Sequence, residues 1–236
     1  MFSARTGMYE WALARPALDS AGALPEKTVH AGWRQRGYLF VKRMLDIGLS
    51  SLLMLLTLPI TLAAAMAIKL TSRGPIFFSP LRAGQGGRPF AIHKFRSMYT
   101  GTEADQEPRR AMNEPGDGPC FKIRRDPRLT PIGAFLRRTG IEDLPQLFNV
   151  LRGEMSLVGP RPLPMSEVST RTCAEYRRLA VPPGLTCLCR ISGRGEIPRH
   201  EWMQLDLYYI EHRDLLLDLE IMVKTIPAVL SRHGAF

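Results

Sequence analysis

IGLSSLLMLLTLPITLAAAMAI, residues 47–68, runs for 22 residues without a charged side chain. As a straight helix it would span about 33 Å, enough to cross the hydrocarbon core of a bilayer. One ordinary transmembrane helix is the plainest reading. Two details favour another path. Pro59 sits near the middle, where it removes an intrahelical hydrogen bond and favours a bend. Basic residues flank both ends, Lys42 and Arg43 before, Lys69 and Arg73 after. The Lys/Arg bias of cytoplasmic loops draws both ends to the same side. A re-entrant membrane helix over residues 39–72, broken near Pro59, satisfies both details.

Outward from this stretch the chain divides into three. Residues 1–38 show no sustained period and read as an N-terminal extension; no apolar run follows its first basic residues, so it is not a secretory signal. Residues 73–236 form a small domain on the cytoplasmic face. Within it, 74–78 and 90–96 read as short strands around a Gly-rich turn at 84–87, and 99–119 as a long polar loop. Residues 132–138 and 144–152 carry helical spacing, with Leu144, Leu147, Phe148 and Leu151 on one face. Apolar spacing from Trp202 to Leu230 suits interfacial amphipathic helices or a core. The expected fold class is α+β, mostly helical.

Charge and cysteines narrow the chemistry. Lys and Arg number 32 against 22 Asp and Glu, a net charge of +10, which calls for an anionic partner. The basic residues form no recognition helix and no zinc-finger pattern, so nucleic acid is not expected. Cys187 and Cys189 make a lone C-x-C without a second pair, which disfavours zinc. No nucleophile–His motif or P-loop appears.

The central candidate is Glu142-Asp143, at the start of the 144–151 helix. Acids are ordinary in a first turn. Here Arg137 and Arg138 precede them and Arg152 and Arg161 follow, a setting suited to phosphate and a divalent cation. Arg161, between Pro160 and Pro162, reads equally as a rigid surface turn or a preorganised phosphate ligand. Arg194, flanked by glycines, reads as a phosphate ligand or a plain turn.

Several motifs occur in order: Lys94-Phe95-Arg96-Ser97-Met98, Glu142-Asp143-Leu144-Pro145-Gln146 through Leu151, Met155 through Pro162, Pro183-Gly184-Leu185-Thr186, Ser192-Gly193-Arg194, and Asp206 before Tyr208-Tyr209. With Lys42-Arg43 ahead of the apolar stretch, residues 39 to 232 resemble the bacterial sugar transferases, the small monotopic phosphoglycosyl transferases. The resemblance implies a re-entrant helix and a catalytic domain at the cytoplasmic face of the bacterial inner membrane. It implies transfer of a phosphosugar from a UDP-sugar to polyprenyl (undecaprenyl) phosphate, releasing UMP, as the first membrane step of exopolysaccharide or surface glycan synthesis. Mg²⁺ and a covalent phosphosugar–carboxylate intermediate belong to that implication. Glu142 takes the nucleophile position and Asp143 the metal position. Arg137, Arg161, Arg194 and Asp206 are implied to bind the donor or support the dyad, as are Lys94 and Arg96. A homodimer is left open. The family's dyad is usually Asp then Glu, and this chain reverses it. The alternative is a catalytically weak member acting as a membrane scaffold. Cys187, Cys189 and Arg190 also depart from the usual pattern.

Overall fold

The computed structural model describes residues 33–101, 126–168, 173–192 and 198–230. Most of the polar stretch 99–119, and Arg194, lie outside them. One helix, α1 (Trp33–Thr71), carries the whole apolar stretch. It begins ahead of the expected boundary at residue 39, and its helical backbone passes Pro59 without a gap. A proline opens one turn of the ladder, which a long helix absorbs while staying helical. In an apolar stretch of 18 residues within α1 only 11% are buried, and Leu55, Leu56, Leu62 and Met66 are all exposed. Protein does not cover this surface, and lipid can. Among the described residues, α1 is the one helix long and apolar enough to cross a membrane.

The two-strand expectation for 74–96 resolves into four shorter strands. β1 (Phe77–Phe78) pairs antiparallel with β4 (Lys94–Phe95). Between them, β2 (Leu81–Ala83) pairs antiparallel with β3 (Pro89–Ala91). The ladder is interrupted because a side chain from elsewhere takes its backbone groups. The fully buried Asn149 donates to the Ala91 carbonyl at 2.8 Å and accepts from the His93 amide at 2.9 Å.

Asn149 belongs to α3 (Gln146–Arg152), which follows α2 (Pro131–Thr139). Thr130 caps α2, its hydroxyl accepting from the Gly133 amide at 2.9 Å, with Pro131 at the first position. Beyond α3, β5 (Ser156–Val158) pairs in parallel with β6 (Gly184–Thr186). Gly159 and Gly184 meet so closely that a Cβ on Gly184 would lie 2.1 Å from the Gly159 nitrogen. The remaining helices are α4 (Cys173–Arg178), α5 (Leu188–Ser192), α6 (Arg199–His212) and α7 (Leu215–Leu230). One core gathers Ile92, Leu147, Val150, Val158, Leu205 and Ile221. A second, of Ala64, Ile68, Phe95 and Leu136, fixes the C-terminal end of α1.

The N-terminal part of α1 is held by polar contacts. Lys42 donates to Asp218 Oδ2 at 2.8 Å and to the Val158 carbonyl at 3.1 Å. Tyr38 and Tyr209 donate to the two oxygens of Asp218 at 3.0 and 2.8 Å. Asp46 accepts from the Leu157 amide at 2.9 Å. Arg43 donates to the Val150 and Leu151 carbonyls at 2.7 and 2.6 Å, adding to the Gly153 amide that caps the last turn of α3. The basic pair read from sequence as membrane-flanking charge is thus also an internal clamp.

Removing one partner of a buried ion pair costs roughly 3–5 kcal/mol. Asp218→Ala leaves Lys42, Tyr38 and Tyr209 without their shared acceptor, and is expected to destabilise by about 3 kcal/mol in denaturant unfolding of detergent-solubilised protein. Glu220→Gln, on the same helix and exposed, serves as the control and should stay within about 0.5 kcal/mol of the parent.

Candidate active site

Gly140 reverses the chain after α2 with φ +76°, a conformation that glycine adopts without strain. The reversal leads into one 3₁₀ turn, Ile141–Asp143, that carries both carboxylates. From sequence they are expected at the first turn of the 144–151 helix. In the structure Leu144 and Pro145 intervene, and α3 starts at Gln146. The turn projects the dyad into a ring of cations from three other elements.

Lys94, on β4, donates to Asp143 Oδ1 at 2.7 Å and stands 4.0 Å from Glu142 Oε1. Arg137, in the last turn of α2, lies 3.4 Å from Glu142 Oε2 and donates to the Ser97 hydroxyl at 3.1 Å. Arg190, on α5, places Nη2 3.3 Å from Asp143 Oδ2. Gln146 also donates to Asp143 Oδ1. The Glu142 and Asp143 side chains remain 16% and 18% exposed, so the dyad is reachable from solvent. Burial pushes the Asp143 carboxyl up, but Lys94, Arg190 and Arg161 outweigh it and hold it well below the usual carboxylate range.

Of the other residues singled out from sequence, Arg161 is exposed and contributes charge at Asp143. Its carbonyl accepts from Arg178 Nη2 at 2.9 Å. Asp206 is buried and engaged by Arg178 Nε at 2.5 Å, and the Arg178 guanidinium stacks 3.9 Å over the Trp202 ring. Burial raises the Asp206 carboxyl against the pull of Arg178 and Arg161. Arg96 is not brought to the dyad. It is buried and donates to the Ser72 and Arg73 carbonyls at 2.9 and 2.6 Å, closing the chain after α1. Pro59 lies within α1, and Arg194 lies outside the described residues. Arg178 and Gln146 were not picked out from sequence. Gln146, three residues after Asp143, had a spacing signal; Arg178 had none.

Among the described residues no group of three or more His, Cys, Asp and Glu could hold a metal. Mg²⁺ needs fewer protein ligands, because one or two carboxylates suffice when substrate phosphates supply further oxygens. Glu142 and Asp143 are such donors, and they fit.

A family model described as bacterial sugar transferase matches residues 37–232. The chain belongs to the bacterial sugar transferase family. A UDP-glucose:undecaprenyl-phosphate glucose-1-phosphate transferase of Caulobacter vibrioides is 37% identical to this sugar transferase, over 96% of the chain and 89% of the relative. An undecaprenyl-phosphate galactose phosphotransferase of Salmonella typhimurium is 36% identical over 86% of the chain. An uncharacterized sugar transferase of Haemophilus influenzae is 37% identical over 83%. The chain spans 43% and 42% of the length of these last two.

Because its native pKa is depressed, Asp143 contributes stability above the ordinary aspartate value of about 3.9, and that contribution is lost only as pH falls through the lower native value. Thermal melts should therefore show Asp143→Asn less stable than the parent by a margin that is constant from pH 8 to pH 5. A margin that shrinks between pH 7 and pH 5 would contradict the cation ring.

Proposed function

We propose that this chain transfers a sugar 1-phosphate from a UDP-sugar to polyprenyl (undecaprenyl) phosphate at the cytoplasmic face of the inner membrane. One observation carries the reading: two adjacent, solvent-reachable carboxylates sit in a ring of Lys94, Arg137 and Arg190 on a domain anchored to an exposed apolar helix. The activities for which the Caulobacter and Salmonella relatives are named support it.

A Glu142 carboxylate oxygen attacks the sugar-bearing phosphorus of the donor. A bond forms between them, and the bond from that phosphorus to the bridging oxygen breaks, releasing UMP. A phosphate oxygen of the polyprenyl phosphate then attacks the same phosphorus, and the Glu142 oxygen leaves with its electron pair. The product is a polyprenyl diphosphate sugar, and Glu142 is regenerated. Lys94 and Arg137 hold the Glu142 oxygens in place and offset charge on the donor phosphates. Asp143 would hold Mg²⁺, which neutralises diphosphate charge when bound. Asp206 acts indirectly, through Arg178 and the Arg161 carbonyl. Glu142 reaches one methylene further than the Asp usual at that position. The rigid turn between Gly140 and Pro145 fixes where that longer arm starts.

Residues 39–72 form the membrane segment in this reading, with α1 re-entering the bilayer by bending near Pro59, and residues 73–236 the catalytic domain. Leu216, Leu219, Val223 and Ile226 are exposed along α7, an apolar strip suited to the membrane interface.

UMP release is the test, with Mg²⁺, undecaprenyl phosphate and a panel of UDP-sugars. Release should require the lipid and fall at least about 100-fold in Glu142→Gln, which also forms no covalent phosphosugar adduct. Undiminished release in that variant would remove Glu142 as nucleophile. Silence from folded parent protein across the panel would favour a scaffold. Re-entry has its own check in sealed vesicles. Cysteines placed at Gln35 and Thr71 should both react with an impermeant maleimide from the same side, and reaction from opposite sides would mean a full span.

A further inference from the structure

The oxygens of Asp143 are not equally committed. Oδ1 takes the Lys94 ammonium at 2.7 Å and the Gln146 amide, which leaves that atom little room for another partner. Among the described residues Oδ2 takes Arg190 Nη2 alone, at 3.3 Å, the longer of the two ion pairs. This contact uses one arm of the guanidinium and not the two-pronged geometry that makes Arg–carboxylate pairs strong. Arg190 is 29% exposed and sits on the five-residue helix α5. A divalent cation bound at about 2.0–2.1 Å from an Asp143 oxygen would therefore enter at Oδ2, where the guanidinium stands.

We infer that Arg190 is an exchangeable counter-ion that competes with a divalent cation for Asp143 Oδ2 and gives way when an anionic diphosphate is there to receive its charge. The inference rests on the transferase reading for the nature of that diphosphate. Two positive groups cannot share one carboxylate oxygen cheaply, so the cation alone must displace Arg190 and leave it without its anion. A nucleoside diphosphate removes that penalty by accepting the guanidinium, as phosphates commonly accept arginine. Cation and nucleotide then bind better together than separately, and each strengthens the other by the same factor. Arg190 is in this sense a positioning residue, since it acts through Asp143 and through the donor's charge.

The experiment measures Mn²⁺ binding to the detergent-solubilised full chain by electron paramagnetic resonance of the free ion, without and then with UDP. In the parent, UDP should tighten Mn²⁺ binding markedly. Arg190→Gln should bind Mn²⁺ alone about tenfold tighter than the parent, and lose most of the tightening by UDP. Arg190→Met, which removes the same charge, should repeat both results and stands in if the Gln variant does not fold. Equal Mn²⁺ affinity in parent and both variants would overturn the inference, and so would weaker binding in the variants. The Mn²⁺ readout needs no turnover. A protein that binds as expected but releases no UMP would lose the transferase reading and keep the competition at Asp143.

Discussion

The molecule depends on one buried acceptor. Asp218, near the start of α7, collects Lys42 and Tyr38 from α1 and Tyr209 from α6. Lys42 and Tyr209 each also donate to the Val158 carbonyl. Four elements thus meet at one carboxylate and one carbonyl. Without it, α1 would keep its Arg43 and Asp46 contacts and its C-terminal core but lose the joint that ties it to α6 and α7. With it, α1 has a fixed direction relative to β5, and β5 leads directly into Gly159-Pro160-Arg161. A buried charge is costly unless its partners are complete, and here three donors, Lys42, Tyr38 and Tyr209, complete it.

The same logic of shared acceptors runs from this foot to the dyad. Arg43 partners the carbonyls at the end of α3, and Asn149, inside α3, holds the backbone between β3 and β4. The dyad lies just before α3, and Lys94 lies on β4. The ring around Glu142 and Asp143 is therefore built on elements that are themselves tied to α1. Arg178 supplies the other flank, joining Asp206, Trp202 and the Arg161 carbonyl in one cluster.

Local signals in the sequence reported local features well. The uncharged run 47–68 announced α1, and the apolar spacing around Leu147 announced α3, because both patterns are written in neighbouring residues. The resemblance carried family membership, and it pointed to Glu142, Asp143, Lys94 and Arg137, which the fold brings together. What escaped was set by distant partners. Asn149 interrupts the ladder from 56 residues away, and no pattern within 74–96 encodes that. The resemblance names Arg96 with Lys94, and both fall in the stretch 90–96 expected as a strand. β4 ends at Phe95, so the alternation that would place both on one face does not extend to Arg96. The cysteine–arginine departure at 187–190 was visible, but its contact with Asp143 needed the fold to bring α5 to the turn.

The clamp at Asp218 also sets an order of events during synthesis. Lys42 emerges 176 residues before its acceptor, an interval of roughly 10 to 35 s at ordinary translation speeds. Through that interval Lys42 and Asp46 are already made and Asp218 is still absent. Asp46 lies three positions from Arg43 and four from Lys42, so on a nascent helix it is the nearest acid to both. α1 thus carries its own local neutralisation. The long-range pair can form only once α7 has been made, so the docking of Lys42 onto Asp218 is a late step.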